Sequence, residues 1–247
     1  MPYSATFRFH ASLNDFLPLE RQAQCIAYGF DNHPAIKDSI EALGAPHPEV
    51  AAIVVNDVAV DFTYQLQDHD RIEVYSYQAV PAVAAQSILI PPCTSEPTFI
   101  LDVHLGVLTR YLRLLGFDCL YHNQDWGDEH IARLAALDKR IVLSRDIGLL
   151  KRSSIESGYW LRHTAPREQV KEVIQRYQLT QWFSPFKRCT HCNGLVQTVE
   201  KSSLQNRLPP RIYNSFTEFR QCRDCGHVYW RGSHYDKMKI FIAELSR

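Results

Sequence analysis

The sequence lacks a long apolar run. No stretch of about 18 uninterrupted hydrophobic residues occurs, so we expect no transmembrane helix. The N-terminal segment MPYSATFRFH has no basic region followed by an apolar one, which argues against a signal peptide. We therefore expect a cytoplasmic protein, whose seven cysteines are metal ligands or free thiols rather than disulfides. Cys25, Cys93 and Cys119 lie in or near apolar runs and are predicted to be small core residues.

The sequence also lacks net charge, but its charges are unevenly distributed. Residues 1–79 contain four basic and eleven acidic residues, whereas residues 187–247 contain eleven basic and five acidic residues. This asymmetry predicts separate modules with an acidic N-terminal surface and a basic C-terminal surface. The alternative interpretation is that both are ordinary solvated faces.

Residues 79–97 are predicted to be an extended interdomain linker, because Gln78–Pro97 contains four prolines and a single charged residue. Residues 1–78, which precede it, show a β-β-α-β-β order that predicts one helix on a mixed sheet. The predicted helix covers Pro34–Leu43, and the predicted strands are Ala5–His10, Cys25–Phe30, Ala51–Asn56 and Arg71–Tyr77.

This N-terminal order, together with the segment LGAPHPEVAAIVVNDVAVDFTYQLQDHDRIEVYSY, resembles the β-grasp, ubiquitin-like family that includes the sulfur carriers. Those carriers end in Gly-Gly, whereas this chain continues through YSYQAV. The resemblance therefore implies a domain for interaction or packing rather than for sulfur transfer, and a protein partner for this domain is one expectation.

Strands and helices alternate in residues 98–185, which predicts an α/β domain with a parallel sheet flanked by helices. The predicted strands are Thr98–Leu101, Asp118–Tyr121, Arg140–Leu143 and Tyr159–Leu161. The predicted helices are Leu105–Leu115, Trp126–Leu137, a short segment ending at Lys151, and Pro166–Tyr177.

Two C-x₂-C pairs lie in residues 186–247, which we predict to be a zinc ribbon with a C-terminal helix. The pairs are Cys189 with Cys192 and Cys222 with Cys225. Two such pairs can complete a tetrahedral four-thiolate shell, which leaves no open position, so we predict a structural rather than a catalytic zinc ion. A redox role is the alternative for a single pair, but two pairs favour metal.

Acidic residues follow predicted strands at the sheet edge where parallel α/β proteins bind ligands. Asp102 and Asp146 each end a strand, and Asp128 and Glu129 open the helix that follows the second strand. A divalent cation neutralises such clustered carboxylates, and oxygen ligands suit Mg²⁺ or Mn²⁺. The alternative is that each residue caps a helix or complements its dipole.

The run FILDVHLGVLTRYLRLLGFDCLYHNQDWGDEHIARLAALDKRIVLSRDIGLLKR resembles the PIN-like RNase domain named after the C-terminal region of the Mut-seven exonucleases. The similarity continues through CTHCNGLV and FRQCRDCGHVYWRGSHYDKM. It implies a PIN-like fold and metal-dependent RNA cleavage. It assigns Asp102, Asp128 or its neighbour Glu129, and Asp146 to a catalytic Mg²⁺ or Mn²⁺ site. The segment SGYWLRHT holds no fourth acid, which predicts a site of three acids.

Three arginines are candidate contacts for RNA phosphates, with a solvated or salt-bridged role as the alternative for each. They are Arg110 and Arg113 on the first predicted helix, and Arg145 beside Asp146. Interleaved basic and aromatic residues in the ribbon suit single-stranded RNA, and structured RNA such as tRNA is also compatible. Two other functions remain open: a non-catalytic RNA-binding protein, or an interaction protein built around the ubiquitin-like module.

Overall fold

The structure is a computed structural model that describes residues 2–246. Backbone packing divides the chain into two compact units. The first comprises Met1–Pro92 and Ala132–Trp160, and the second comprises Cys93–Ile131 and Leu161–Arg247. None of the helices within the described part of the chain has the length and apolar character needed to cross a membrane.

The N-terminal part of the first unit is a β-grasp domain, as its sequence predicts. Its strands are β1 (Tyr3–His10), β2 (Ile26–Phe30), β3 (Ala52–Val55), β4 (Val58–Val60) and β5 (Arg71–Tyr75), and its helix is α1 (Ile36–Leu43). The sheet order is β2-β1-β5-β3-β4, with β1 and β5 parallel and the other neighbours antiparallel. The sequence pattern does not predict β4, because the predicted strand Ala51–Asn56 ends at Asn56-Asp57, which forms the tip of the hairpin between β3 and β4.

Alternation of side chains explains the core of this domain. Every second residue of β1 is buried, and Phe7 and Phe9 thereby join Ile36 and Ile40 of α1 in one apolar cluster. The helix ends at Gly44, whose φ of 132° is one that other residues rarely adopt.

The predicted linker is not simply extended. It forms two short 3₁₀ turns, Tyr77–Ala79 and Ala82–Ala84, and Ala84 packs against Ala52 and Val54 of β3. The physical reason is that β3 is buried on both faces, so its second face must be covered by another part of the chain. The prediction of an extended segment was therefore wrong for residues 79–84.

The first unit also contains β8 (Ile141–Ser144), α4 (Ile147–Leu150) and β9 (Gly158–Trp160), with β8 and β9 paired in parallel. The β-grasp domain contacts this segment through polar groups. The buried imidazole of His47 lies 2.7 Å from the carbonyl of Ile155 and 2.6 Å from the carboxylate of Glu41. Burial favours a raised pKa for Glu41, but the hydrogen bond and charge of His47 outweigh it and hold that pKa below its ordinary value.

Glu49 makes the most deeply buried of these polar contacts. Its carboxylate is only 4% exposed and accepts a hydrogen bond of 2.7 Å from the backbone N–H of Trp160. The Trp160 ring lies 5.3 Å from the ring of Phe16, and its indole N–H donates to the carbonyl of Arg145. A side chain of the β-grasp domain thus satisfies a backbone donor at the end of β9, where an unpaired donor would be costly.

The second unit contains β6 (Phe99–Leu101), α2 (Gly106–Leu115), β7 (Cys119–Leu120) and α5 (Pro166–Tyr177). Strands β6 and β7 pair in parallel, and Phe99 packs edge-on against Phe117 and Tyr177. Helix α3 (Asp128–Asp138) follows β7. Parallel pairing of β6 with β7 and of β8 with β9, with helices between the strands along the chain, confirms the predicted α/β class.

The zinc-ribbon part of the second unit is a three-stranded antiparallel sheet of order β10-β11-β12. Its elements are β10 (Val196–Val199), α6 (Pro210–Ser215), β11 (Phe219–Cys222), β12 (Val228–Trp230) and α7 (Ser233–Leu245). Between the two cysteine pairs lies the short helix α6, which begins at a proline as helices often do.

The prediction for the three remaining cysteines was right for one of them. Cys119 is fully buried, whereas Cys93 is half-buried and Cys25 is exposed. Cys25 directly precedes β2, and the inward position there is taken by its neighbour Ile26.

We expect Glu49→Ala to lower the free energy of unfolding by about 1–3 kcal/mol, because it leaves the N–H of Trp160 without its acceptor in a buried place. Urea denaturation followed by circular dichroism would measure this change. The control is Glu20→Ala, which removes an exposed carboxylate from the same domain. Equal stability of the two variants would show that the Glu49 contact does not contribute.

Candidate functional site

The four predicted zinc ligands lie together. The Sγ atoms of Cys189, Cys192, Cys222 and Cys225 are all within 4.8 Å of one another. The Cys189–Cys225 and Cys192–Cys222 sulfur pairs are 3.6 Å and 3.4 Å apart. A tetrahedral zinc site with Zn–S bonds of about 2.3 Å requires sulfurs about 3.8 Å apart, so the geometry fits that ion. Within residues 2–246 this is the one group of three or more His, Cys, Asp or Glu side chains so closely spaced.

Tight turns place the sulfurs. The residue after each second cysteine adopts a positive φ, 77° at Asn193 and 72° at Gly226, a conformation that glycine and asparagine tolerate in a tight turn. In the first turn the N–H of Asn193 donates to the carbonyl of Cys189. A Cβ on Gly194 would lie 2.8 Å from the sulfur of Cys222, so this position leaves no room for a side chain.

The environment of the four sulfurs favours the thiolate at Cys189 and the thiol at Cys225. Burial favours a raised pKa for Cys189, but hydrogen bonds from the Tyr229 hydroxyl, at 3.0 Å, and from backbone amides bring it to about 7. Loss of hydration and the neighbouring thiols raise the pKa of Cys225 to about 12. Four thiols cannot all ionise side by side unless a cation balances them, so zinc binding would displace protons from this cluster.

Arg113 links the turn between Cys189 and Cys192 to strand β7. Its guanidinium is 4% exposed and donates to the carbonyl of Cys119 through Nε and Nη2, at 3.1 and 2.8 Å. Its Nη1 donates to the carbonyl of His191, between the two cysteines of the first pair, at 2.9 Å. Burial lowers the pKa of Arg113, while the nearby cysteines and Asp118 favour its charged form.

Asn193 and Asp118 extend this link. The backbone N–H of Cys119 donates to the side-chain oxygen of Asn193. The side-chain nitrogen of Asn193 in turn donates to the carboxylate of Asp118. Asp118 also lies 3.0 Å from the guanidinium of Arg188. The sequence did not predict this network. The only signal was the placing of Asn rather than Gly after the second cysteine, where its amide reaches strand β7.

Arg113 was predicted to contact RNA, but its position does not suit that role, because its donors are buried and are used by backbone carbonyls. Arg110, three residues earlier on α2, and Arg145, after β8, are both exposed. We therefore retain Arg110 and Arg145 as candidate RNA contacts and leave Arg113 out.

The acidic residues of the second unit lie at the ends of elements, as predicted. Asp102 directly follows β6 and is half-buried, and its side chain does not cap the 3₁₀ turn that follows. Asp128 is the first residue of α3 and is half-buried, whereas Glu129 is exposed. Asp125 accepts a hydrogen bond from the N–H of Gly127 and so shapes the turn before α3.

Asp146 in the first unit is a helix cap. Its Oδ1 accepts a hydrogen bond of 2.7 Å from the N–H of Gly148 at the start of α4. Its own N–H donates to the hydroxyl of Ser144, which is fully buried. The carboxylate itself is exposed, and a cap uses one oxygen of two. The capping alternative that the sequence left open is therefore observed, and it is compatible with a second role for Oδ2.

A carboxylate does reach the segment after β9, although the sequence there holds no acid. Glu172 of α5 accepts hydrogen bonds from the N–H groups of Arg162 and His163, at 2.8 and 3.2 Å. These contacts give Glu172 a role in holding the chain rather than that of a fourth metal ligand.

Fold and site together define a three-part protein, with a ubiquitin-like β-grasp domain, a parallel α/β domain and a four-cysteine ribbon. A family model described as the Mut7-C RNAse domain matches residues 97–242, and one described as Mut7-C ubiquitin matches residues 2–80. The chain therefore belongs to the Mut7-C RNAse domain family and carries the ubiquitin-like domain named with it. Neither the curated proteins nor the solved structures contain a match to this chain.

We expect the purified protein to contain about one zinc ion per chain, as the four-cysteine geometry requires. Stripping it with a strong chelator would expose four additional thiols to a thiol-reactive dye, since Cys25 and in part Cys93 are already accessible. Elemental analysis and thiol titration would measure both quantities. Absence of zinc together with four unreactive thiols would contradict the assignment.

Arg113→Met is expected to lower the free energy of unfolding by about 3–5 kcal/mol, because it removes the buried cation and leaves the carbonyls of Cys119 and His191 without a hydrogen-bond donor. It should also speed zinc loss to a chromogenic chelator, since one end of Arg113 holds the first cysteine turn. Arg110→Met is the matched control on the exposed side of the same helix. If both variants release zinc at the wild-type rate, Arg113 does not support the ribbon.

Proposed function

We propose that the protein is a metal-dependent ribonuclease that hydrolyses RNA phosphodiester bonds. The observation that carries the proposal is the placement of acids at element ends in a chain of the Mut7-C RNAse domain family. Asp102 follows β6, Asp128 opens α3, and Asp146 lies two residues after β8. In parallel α/β sheets these are the positions from which side chains serve a ligand site.

The proposed ligands of a Mg²⁺ or Mn²⁺ ion are Asp102, Asp128 or its neighbour Glu129, and Asp146. Oxygen donors and a low ligand number suit both ions, which keep several waters when bound to protein. Such an ion would supply an activated water and would neutralise charge on the scissile phosphate. Asp146 suits this role because Oδ1 is fixed by the N–H of Gly148 while Oδ2 is left for an ion.

The chain itself would orient the substrate and the ligands. The hydroxyl of Ser144 accepts a hydrogen bond from the N–H of Asp146 and thereby helps to fix the backbone conformation at that residue. Arg110 and Arg145 are exposed cations on α2 and after β8, and they would bind phosphates of the RNA. We also propose that the protein works in the cytoplasm, where zinc-binding thiols stay reduced.

Two rival functions lead to different measurements. A non-catalytic RNA-binding protein would bind RNA without metal-dependent turnover. An interaction protein would capture its partner through the β-grasp domain, whose acidic surface and exposed Leu19 and Val58 are candidate contacts. The family match to an RNAse domain favours the nuclease over both.

We expect Asp102→Asn and Asp146→Asn each to reduce Mg²⁺- or Mn²⁺-dependent RNA cleavage by roughly 100-fold or more, because loss of a ligand charge removes several kcal/mol of metal stabilisation. Cleavage of a labelled RNA by zinc-loaded protein, with the second metal added rather than chelated, would measure this effect. Asparagine can still cap α4, so folding should be unchanged at Asp146.

Asp125→Asn is the matched control, since it alters a neighbouring carboxylate that shapes a turn. Full activity in both the Asp102→Asn and the Asp146→Asn variant, with normal folding, would show that the acidic site is misassigned.

A further inference from the structure

A groove of the second unit lies on the ribbon, and none of the proposed metal-binding acids lines it. It has a volume of about 1100 Å³ and is lined by the ribbon sheet, α6 and the start of α7. We call it the ribbon groove and define it by Phe186, Lys201, Arg211, Phe216, Arg220 and Trp230. Its volume lies just above the range of roughly 300–1,000 Å³ for a small-molecule pocket, which suits a longer ligand.

The ribbon groove is lined by all three strands of the ribbon sheet. In the antiparallel register Phe219 faces Trp230 and Arg220 faces Tyr229, so these two pairs project to opposite faces. Residues of both pairs line the groove. Val196, Thr198 and Val199 of β10 line it as well, so the groove reaches from one outer strand of the order β10-β11-β12 to the other. An extended chain fits such a path better than a compact molecule does.

The charge of the groove favours an anionic ligand. Five basic residues line it, against two acidic residues, Glu200 and Glu218. Arg231 lies 3.3 Å from Glu218 and Arg188 lies 3.0 Å from Asp118, so these two cations have carboxylate partners. Arg211 and Arg220 are exposed and have no carboxylate partner within the described part of the chain. Arg220 donates to the carbonyl of Phe186 through Nη1, at 3.2 Å, and its other donors, like those of Arg211, are placed to receive phosphates.

Aromatic rings distinguish this groove from a simple basic patch. Phe216 and Trp230 lie with ring centroids 6.4 Å apart, and Phe186 stacks on Tyr235 at 4.7 Å. All four rings are only half-buried, so part of each is open to a ligand. Bases of a single strand stack on such rings while cations hold the backbone. A duplex keeps its bases stacked inside and cannot use them.

We propose that the ribbon groove binds single-stranded RNA, with phosphates at Arg211 and Arg220 and a base against Trp230. This inference extends the proposed nuclease function by assigning its substrate form, but the two are tested separately. Binding is measured without Mg²⁺ or Mn²⁺, so it does not depend on the acids. An acidic peptide is the competing ligand, and it would share the cations but not the rings.

The first test uses fluorescence anisotropy of the zinc-loaded full chain with a labelled 12-nucleotide oligouridine. We expect Arg211→Glu combined with Arg220→Glu to weaken binding at least tenfold and to lower the salt dependence of binding by about two charges. The control is Lys237→Glu combined with Lys239→Glu, which makes the same charge change on α7 outside the groove lining. Equal affinity of the groove variant and wild type would overturn the proposal.

The second test separates stacking from charge. We expect Trp230→Leu, which keeps apolar bulk, to weaken binding roughly five- to hundredfold, whereas Trp230→Phe should keep most of the affinity. Equal affinities for the Leu and Phe variants, equal binding of a 12-base-pair RNA duplex, or equal competition by polyglutamate would each overturn the single-strand assignment.

The outcomes also distinguish this proposal from the nuclease proposal. If Asp102→Asn and Asp146→Asn remain active but the groove variant binds weakly, the acidic site fails and the groove stands. If those acid variants are inactive but the groove variant binds as wild type does, the nuclease stands and the groove fails.

Discussion

The buried guanidinium of Arg113 is the interaction on which the second unit depends. It connects the carbonyl of Cys119 in β7 with the carbonyl of His191 in the first cysteine turn. Removing an arginine from water is expensive unless its donors are satisfied, and these carbonyls satisfy them. A zinc ion with four thiolates carries net negative charge, so Arg113 also places a cation where the metal site needs one. Ribbon and α/β domain are thereby joined by electrostatics as well as by packing.

The first unit uses the same principle with the charges reversed. Glu49 is a buried carboxylate that accepts the N–H of Trp160, and His47 lies between the carboxylate of Glu41 and the carbonyl of Ile155. The β-grasp domain therefore serves as a support for the segment that carries β8, α4 and β9. Because Asp146 caps α4, the ubiquitin-like domain contributes to the setting of a proposed catalytic acid.

Local pattern was enough to predict most of the elements. Helices α2 and α5 and the glycine stops at Gly44 and Gly116 follow from spacing and from the conformations that glycine alone adopts readily. The zinc ligands followed from two short spacings, and the structure brings them together. The predictions that failed concern segments whose structure depends on residues far away in the sequence. The second apolar face of β3 needs the segment after Tyr77, and nothing local to that segment reveals this.

Arg113 shows the same limit at the site. As one of two arginines on an amphipathic helix it has the pattern of a solvent-facing cation, and only the docked cysteine turn makes it a buried one. Arg110, one turn earlier, keeps the exposed position that both were predicted to share. An arginine of the second unit is therefore a candidate RNA contact only if some of its N–H donors are not already hydrogen-bonded to backbone carbonyls. By that criterion Arg110 and Arg211 remain candidates, and Arg113 belongs to the scaffold that holds the ribbon in place.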